Sequence, residues 1–175
     1  FPYEKGILFH SFQKLFYYKD GVISQISNEN EFHFSFLVED QFFVREQRKG
    51  LCVLDGRSVD LVKDGELFAD KEIVSLLPLS KNLILIATAL DGLFLYDGTQ
   101  ITPWDNDLSQ RFKRDQVFTG LSVGNSKFAF GTVRNGVYII NKDGQIIKNI
   151  NSEKGLQNNT VLSLFLDQKE NLWVG

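Results

Sequence analysis

Three observations predict an all-β fold, a β-propeller of about four blades with four antiparallel strands each. First, a segment of one general form recurs: DQFFVREQRKGLCVLDG at 40–56, NLILIATALDGLFLYDG at 82–98 and SKFAFGTVRNGVYIINKDG at 126–144, with NLWVG at 171–175 opening a further copy. Second, the spacing is regular. Gly50, Gly92 and Gly136 lie 42 and 44 residues apart, and Ile73, Val117 and Val161 are 44 apart. A period near 40–50 built from several short strands is the signature of a propeller blade. Third, strands such as Leu93–Tyr96 are apolar at consecutive positions. They are expected to be covered on both faces, as blades stacked between blades must be.

Each repeat divides into strands A to D. The second blade is expected to use 32–38, 42–45, 51–54 and 58–62. The third is expected to use 73–79, 83–88, 93–96 and 100–104, and the fourth 117–123, 128–132, 137–140 and 145–150. The first blade offers 7–10, 15–18 and 22–26, and the fifth only 161–166 and 172–174. The blades thus span about 1–27, 31–62, 73–104 and 117–150, with a partial one at 160–175, in a single propeller segment over 1–175. Asp-Gly recurs between C and D at 20–21, 55–56, 97–98 and 143–144. That dipeptide is a strong hairpin signal because both residues accept positive φ. Helix is expected only between blades, over 107–113 with Asp105 or Asp107 as cap and Leu108 and Phe112 on one face, and as a turn at 65–70. The chain opens on Phe1 and stops inside a repeat, so it reads as a piece of a longer protein and a partial arc of a larger propeller.

Composition excludes several classes. The net charge is −3, from 19 basic and 22 acidic residues, which argues against a basic nucleic-acid surface. The longest apolar stretch, 83–90, is far short of a membrane span, so no membrane contact by this segment is expected. Cys52 is the one cysteine. It lies in an apolar run and is expected to be a small buried hydrophobe.

The final repeat, GLQNNTVLSLFLDQKENLWVG at 155–175, resembles the repeat of two-component-regulator propellers. The shared positions are Gly155, Leu156, Asn159, Val161, Asp167, Asn171, Leu172, Trp173, Val174 and Gly175. With GILFHSFQKLFYYKDG at 6–21 and GELFADKEIVSLLPL at 65–79, the whole chain looks like the ligand-sensor region of bacterial regulators. There such propellers precede a triple-tyrosine domain and an output, either a helix-turn-helix module or a histidine kinase. Blades two to four depart from the pattern, with Phe43, Leu85 and Ala129 in place of the tryptophan. The resemblance implies a periplasmic sensor segment of a membrane-anchored regulator, binding a polar small molecule or carbohydrate, with dimerisation of the full-length protein an open question. Trp173 is expected to be covered on both faces.

Chemical motifs are few. His10 and His33 lack metal-ligand neighbours, and no zinc pattern or catalytic elbow is present. Gly120–Gly124 lacks the lysine of a phosphate loop. Asp105-Asn106-Asp107 lacks the glycine and distal glutamate of a calcium loop. The acid pairs Asp60/Asp64 and Asp105/Asp107 read as solvated loop charges. No cofactor, metal site or catalytic residue is expected.

B–C turns and D–A loops should share one face, where propellers commonly hold ligands. The expected ligand-binding residues there are Arg45, Glu46, Arg48, Asp91, Arg134, Asn135 and Asn158. Gln47, Thr88, Thr132, Arg111, Lys113, Arg114 and Asn159 stand beside them, with Trp104 and Phe112 as nearby rings. The rivals to a non-enzymatic sensor are a propeller glycoside hydrolase or lyase, which needs a converging acid/base pair, and a protein-interaction platform.

Overall fold

Alternating hydrogen-bonded strands joined by tight turns make four four-stranded antiparallel meanders and one two-stranded sheet, in a computed structural model that describes residues 1–27 and 30–175. The first sheet contains β1 (Pro2–Tyr3), β2 (Gly6–His10), β3 (Lys14–Lys19) and β4 (Val22–Ser27). The second contains β5 (Phe32–Val38), β6 (Gln41–Glu46), β7 (Gly50–Asp55) and β8 (Ser58–Leu61). The third contains β9 (Ile73–Ser80), β10 (Leu83–Thr88), β11 (Leu93–Tyr96) and β12 (Ile101–Pro103). The fourth contains β13 (Val117–Val123), β14 (Lys127–Thr132), β15 (Val137–Asn141) and β16 (Ile146–Ile150). The last sheet is β17 (Leu164–Leu166) with β18 (Leu172–Val174).

Four strands are shorter than the repeat suggests: β8 and β16 by one residue each, β12 by one at each end and β17 by three. Strand D of the third sheet loses Gln100, whose N–H is bonded to Asp97 Oδ1 (2.9 Å) inside the turn. Strand A of the last sheet begins at Leu164, because Leu162 and Ser163 both donate to the one carbonyl of Gly175 (2.8 and 3.0 Å). The Asp-Gly turns are also not alike. Asp20 and Gly21 both have positive φ (51° and 82°), as a primed hairpin turn requires. Asp97 instead folds its carboxylate onto Thr99 and Gln100, and the Thr99 hydroxyl and these amides hold its pKa down to about 2.

The chain packs as two compact units, Phe1–Lys71 and Glu72–Gly175. In the first, Leu8, Leu15 and Ile26 from β2–β4 meet Phe42, Val44, Cys52, Leu54 and Val59 from β6–β8. Cys52 is wholly buried, and burial pushes its thiol up to about 12. It is an inert core residue.

In the second unit, Leu77, Leu85, Ala87 and Leu93 of the third sheet meet Phe128, Phe130, Tyr138 and Ile140 of the fourth. Between these sheets in sequence lies α1 (Asp107–Asp115). Its cap is Asn106, which has extended backbone angles and accepts from Ser109 N–H (2.8 Å). Neither aspartate expected for that role has this geometry at the start of the helix. Leu108 and Phe112 point into the same core, with the Phe112 ring 5.0 Å from Phe130 and 5.6 Å from Tyr138. Burying such a ring contributes about 1.5–3 kcal/mol. Lys113 and Arg114 fall in the last turn, where positive charge suits the helix dipole.

On the far side of the fourth sheet, Ala129 and Val137 meet Val161, with Leu164 and Leu172 beside them. The outer face of β17–β18 has no cover among the described residues. Trp173 is therefore 62% exposed, which overturns the expectation of burial. That expectation needed a sheet on each side, and among the described residues none packs on the Trp173 side of β18. The indole N–H donates instead to Asp167 Oδ2 (3.0 Å). This bond, with those from Asn171, holds the Asp167 carboxyl down to about 2.

Candidate functional site

The two turns that follow β10 and β14 are closed by a threonine and a glycine at positions 44 apart. Thr88 Oγ1 donates to Gly92 O (2.8 Å) and accepts from Asp91 N–H (3.0 Å). Thr132 Oγ1 donates to Gly136 O (2.9 Å) and accepts from Asn135 N–H (3.0 Å). Both threonines are fully buried, so these bonds settle polar groups that water cannot reach. Gly92 and Gly136 have φ of 87° and 69°, a region that disfavours a β-carbon. Each turn is also tied to the residue before its own strand A: Ala89 N–H to Glu72 O (2.9 Å) and Val133 N–H to Gln116 O (2.8 Å). The turn after β6 repeats the tie, Gln47 N–H to Glu31 O (2.8 Å).

At the β14–β15 turn a polar network is added. The end of α1 places Asp115 beneath the turn. Its Oδ2 accepts from Tyr138 Oη–H (2.5 Å) and Asn135 Nδ2 (3.1 Å), and its Oδ1 accepts from Arg114 Nε (3.1 Å). Burial raises the Asp115 pKa, but the bonds from Tyr138, Arg114 and Asn135 outweigh it, and the carboxyl is held below its usual range. Burial, then the bond to Asp115, pushes the Tyr138 phenol up to about 12. Asn135 also donates to the Tyr138 oxygen (2.5 Å), and its carbonyl accepts from Asn149 Nδ2 (2.8 Å). Asn151 Nδ2 reaches Asn135 Oδ1 (3.4 Å), and the buried Asn151 Oδ1 has no partner among the described residues.

The expected binding residues divide by position. Arg134 is exposed, and its Nη1 donates to Arg114 O (2.8 Å), while its backbone N–H meets Asp115 O (3.1 Å). This turn and the loop that carries α1 are thereby brought together. Asn159 joins them, since its carbonyl accepts from Gly136 N–H (2.8 Å) and its Oδ1 from Ser152 N–H (2.8 Å). Asn158 is exposed and accepts from Thr160 N–H (3.0 Å). Asp91 is half-buried beside its turn, and Arg48 is exposed with φ of 64°.

Arg45 and Glu46 face inward. The Arg45 guanidinium bonds to the carbonyls of Phe68 (3.1 Å) and Ala69 (2.9 Å), which holds the 3₁₀ turn at Gly65–Phe68. Glu46 is 1% exposed, paired with Lys49 Nζ at 3.0 Å and accepting from Asn30 Nδ2 at 3.0 Å. Phe112 is likewise sealed in the core, so of the two expected rings Trp104 alone is partly open. Sequence reasoning missed Asp115, Tyr138, Asn149 and Asn151. The signal was there in Tyr138, a phenol standing 44 residues from Phe94 in an otherwise matching strand.

Elsewhere, burial lowers the His10 pKa, and its ring stands edge-on to Phe32 at 6.1 Å. Among the described residues no group of three His, Cys, Asp or Glu could hold a metal ion. A cleft of about 540 Å³ runs between the start of α1 and the β15–β16 turn, lined by Asn106, Asp107, Arg111, Asp143, Gln145 and Ile146 among others.

No family profile matches the sequence, and no curated protein matches it. Solved structures do. The extracellular domain of BT4673 from B. thetaiotaomicron, assigned to a one-component system, is 20% identical with a TM-score of 0.71. The match covers 98% of this chain and 25% of that one. The extracellular domain of BT3049 from B. thetaiotaomicron, assigned to a hybrid two-component system, is 19% identical with a TM-score of 0.66, over 93% of this chain and 24% of that one. A computationally designed protein, Ika8, is 16% identical with a TM-score of 0.56, over 92% of this chain and 52% of that one. The chain thus spans about a quarter of the length of the two extracellular domains. At these identities the likeness speaks for the fold alone: successive four-stranded antiparallel blades of a β-propeller, over nearly the whole chain, as in the extracellular domains of BT4673 and BT3049.

Proposed function

We propose that the chain is an extracytoplasmic, non-catalytic sensor segment of a bacterial signal-transduction regulator, and that it contributes to binding a polar small molecule or carbohydrate. The observation that carries this reading is the fold likeness to the BT4673 extracellular domain over 98% of the chain. The repeat at 155–175, with its Asn-Leu-Trp-Val-Gly ending, supports it independently. The polar surface at the β14–β15 turn supports the ligand class. Arg134 supplies an exposed guanidinium fork, and Asn135 beneath it is held in one orientation by Asp115 and Tyr138. A fixed amide beside a cation discriminates hydroxyl-rich ligands better than mobile side chains do, because less freedom is lost on binding. Binding signals by favouring whichever arrangement of sensor and output it fits more tightly.

The test is titration calorimetry of the chain, and of the longer sensor region that contains it, against a panel of mono- and oligosaccharides. A saturable ligand is expected, weakened by about 1–3 kcal/mol in Arg134→Ala, the range of a charged hydrogen bond. Arg48→Ala tests the turn after β6 in the same way. Binding untouched by either change would put the site elsewhere. Release of cleaved product from any oligosaccharide would replace the sensor with a glycoside hydrolase or lyase.

A further inference from the structure

The sequence holds one Asn-Gly pair, Asn135–Gly136, and it lies in the β14–β15 turn. Asparagine is chemically least stable before glycine. With no β-carbon to shield it or restrict its rotation, the glycine nitrogen can reach the preceding side chain. The Gly136 nitrogen would lose its proton and attack Asn135 Cγ. The Cγ–Nδ2 bond would break, ammonia would leave, and water would open the resulting five-membered imide to aspartate or isoaspartate.

Each part of that reaction is opposed in the folded turn. The Gly136 N–H donates to Asn159 O (2.8 Å), and Gly136 is buried, where a deprotonated nitrogen lacks the hydration its charge needs. Nor can the nitrogen swing toward the side chain. A β-carbon at Gly136 would lie 2.1 Å from Ile150 O, so backbone is packed against backbone. The side chain is held as well, because Asn135 Nδ2 donates to Asp115 Oδ2 (3.1 Å) and to Tyr138 Oη (2.5 Å). Asp115 is kept ionised by its own donors, so it accepts from this nitrogen and has no proton to give it as it leaves. Asn125 offers the contrast. It precedes Ser126 in the β13–β14 turn, and both residues are exposed.

We propose that Asn135–Gly136 is a latent deamidation site, kept intact by its bonds to Asp115, Tyr138 and Asn159 and converted only when the turn opens. Conversion does not reverse. Aspartate at 135 sets a second carboxylate beside the buried Asp115, and like charges that close raise one pKa at a cost to the fold. Isoaspartate routes the backbone through the side chain, one carbon longer, and takes Gly136 N–H out of register with Asn159. Either product leaves a turn that cannot close as before. None of this depends on whether the turn binds a ligand.

Peptide mapping by mass spectrometry tests this on the 175-residue chain, incubated at mildly alkaline pH folded and in denaturant. Unfolded, Asn135 should convert faster than Asn125. Folded, the order should reverse, with Asn135 slowed at least tenfold because it reacts only through opening. Tyr138→Phe takes one partner from Asn135 Nδ2. It should speed conversion of Asn135 in the folded chain and leave Asn125 and both unfolded rates unchanged. Leu77→Ala, in the same core but on β9, separates local from global opening. At equal stability, set with urea, Asn135 should convert more slowly in it than in Tyr138→Phe. Conversion of Asn135 in the folded chain within tenfold of its unfolded rate, or ahead of Asn125, would overturn the proposal. So would equal rates in the two variants at matched stability, which would assign the protection to the fold at large and not to these bonds.

Discussion

The turn from Thr88 to Gly92 and the turn from Thr132 to Gly136 are closed by the same threonine–glycine bonds and tied to the same point on strand A, yet only the second covers a buried carboxylate and phenol. The difference comes from three positions. Tyr138 stands where the first turn has Phe94, Asn135 where it has Asp91, and Asp115 where it has Lys71. A repeated backbone device leaves its side chains free to differ, and the chemistry of one blade need not appear in the next. That is why the candidate site sits at one turn and not at every turn.

Glycine substitution should separate the two turns most. A β-carbon at Gly136 would lie 2.1 Å from the backbone oxygen of Ile150, which cannot yield without moving strand β16. At Gly92 it would meet Lys113 Cε at 2.8 Å, which can swing away, and Ser109 Oγ at 2.3 Å, which can rotate only by giving up its bond from Leu93 N–H. Positive φ and overpacking together should cost about 2–5 kcal/mol in Gly136→Ala and about 1–3 kcal/mol in Gly92→Ala. Urea denaturation of the chain measures both, and equal losses would mean that the two turns are equally rigid.

Next is Tyr138→Phe, which removes one of the three differences between the turns. It takes one of two donors from the buried Asp115 Oδ2, leaving Asn135 Nδ2, and should cost about 1–3 kcal/mol at neutral pH. The pH dependence gives a sharper reading. The folded Tyr138 phenol, raised to about 12 from 10.0, binds its proton more tightly than in the unfolded chain. Its contribution is therefore complete below pH 10 and lost as the pH rises toward 12. For Asp115 the folded pKa is lowered, so its contribution is complete above the ordinary carboxylate range and lost as the pH falls through the folded value. Tyr138→Phe should reduce the alkaline loss of stability, leaving the part that the buried Cys52 thiol, also raised to about 12, contributes. A wild-type-like alkaline slope in this variant would assign it to other groups.

Thr88→Val and Thr132→Val probe what the turns share. Each removes one donor and one acceptor from a sealed site, and each should cost about 1–3 kcal/mol. The two losses should agree to within about 0.5 kcal/mol, the scatter of independent sites. A larger loss at Thr132 would show that it also positions Asn135 against Asp115. The smallest effect belongs to Arg134→Ala. Its side chain is exposed and makes a single bond to Arg114 O, so stability should change by no more than about 0.5 kcal/mol. A melting temperature well below that of the unsubstituted chain would make Arg134 a structural residue of the turn.

The sequence by itself determined the strand order, the turns and the repeat, because these rest on local chemistry. The consecutive apolar residues of Leu93–Tyr96 require cover on both faces wherever the strand lies, and glycine is needed wherever φ is positive. It also implied a helix over 107–113, whose two apolar residues are one turn apart, although the helix runs on to Asp115 and Asn106 rather than an aspartate caps it. What the tertiary structure alone decided is which side chains are available. Arg45 and Glu46 looked like surface charges, but the turn at Gly65–Phe68 and Lys49 satisfy them inside. Trp173 looked like core, yet among the described residues no sheet packs on its side of β18 and it is exposed. Asp115 and Tyr138, 23 residues apart, carry no mutual signal in the sequence. They meet because α1 packs against the fourth sheet and delivers its last residue to the foot of a turn. Burial and long-range pairing depend on what lies opposite a residue in space, which local pattern does not encode.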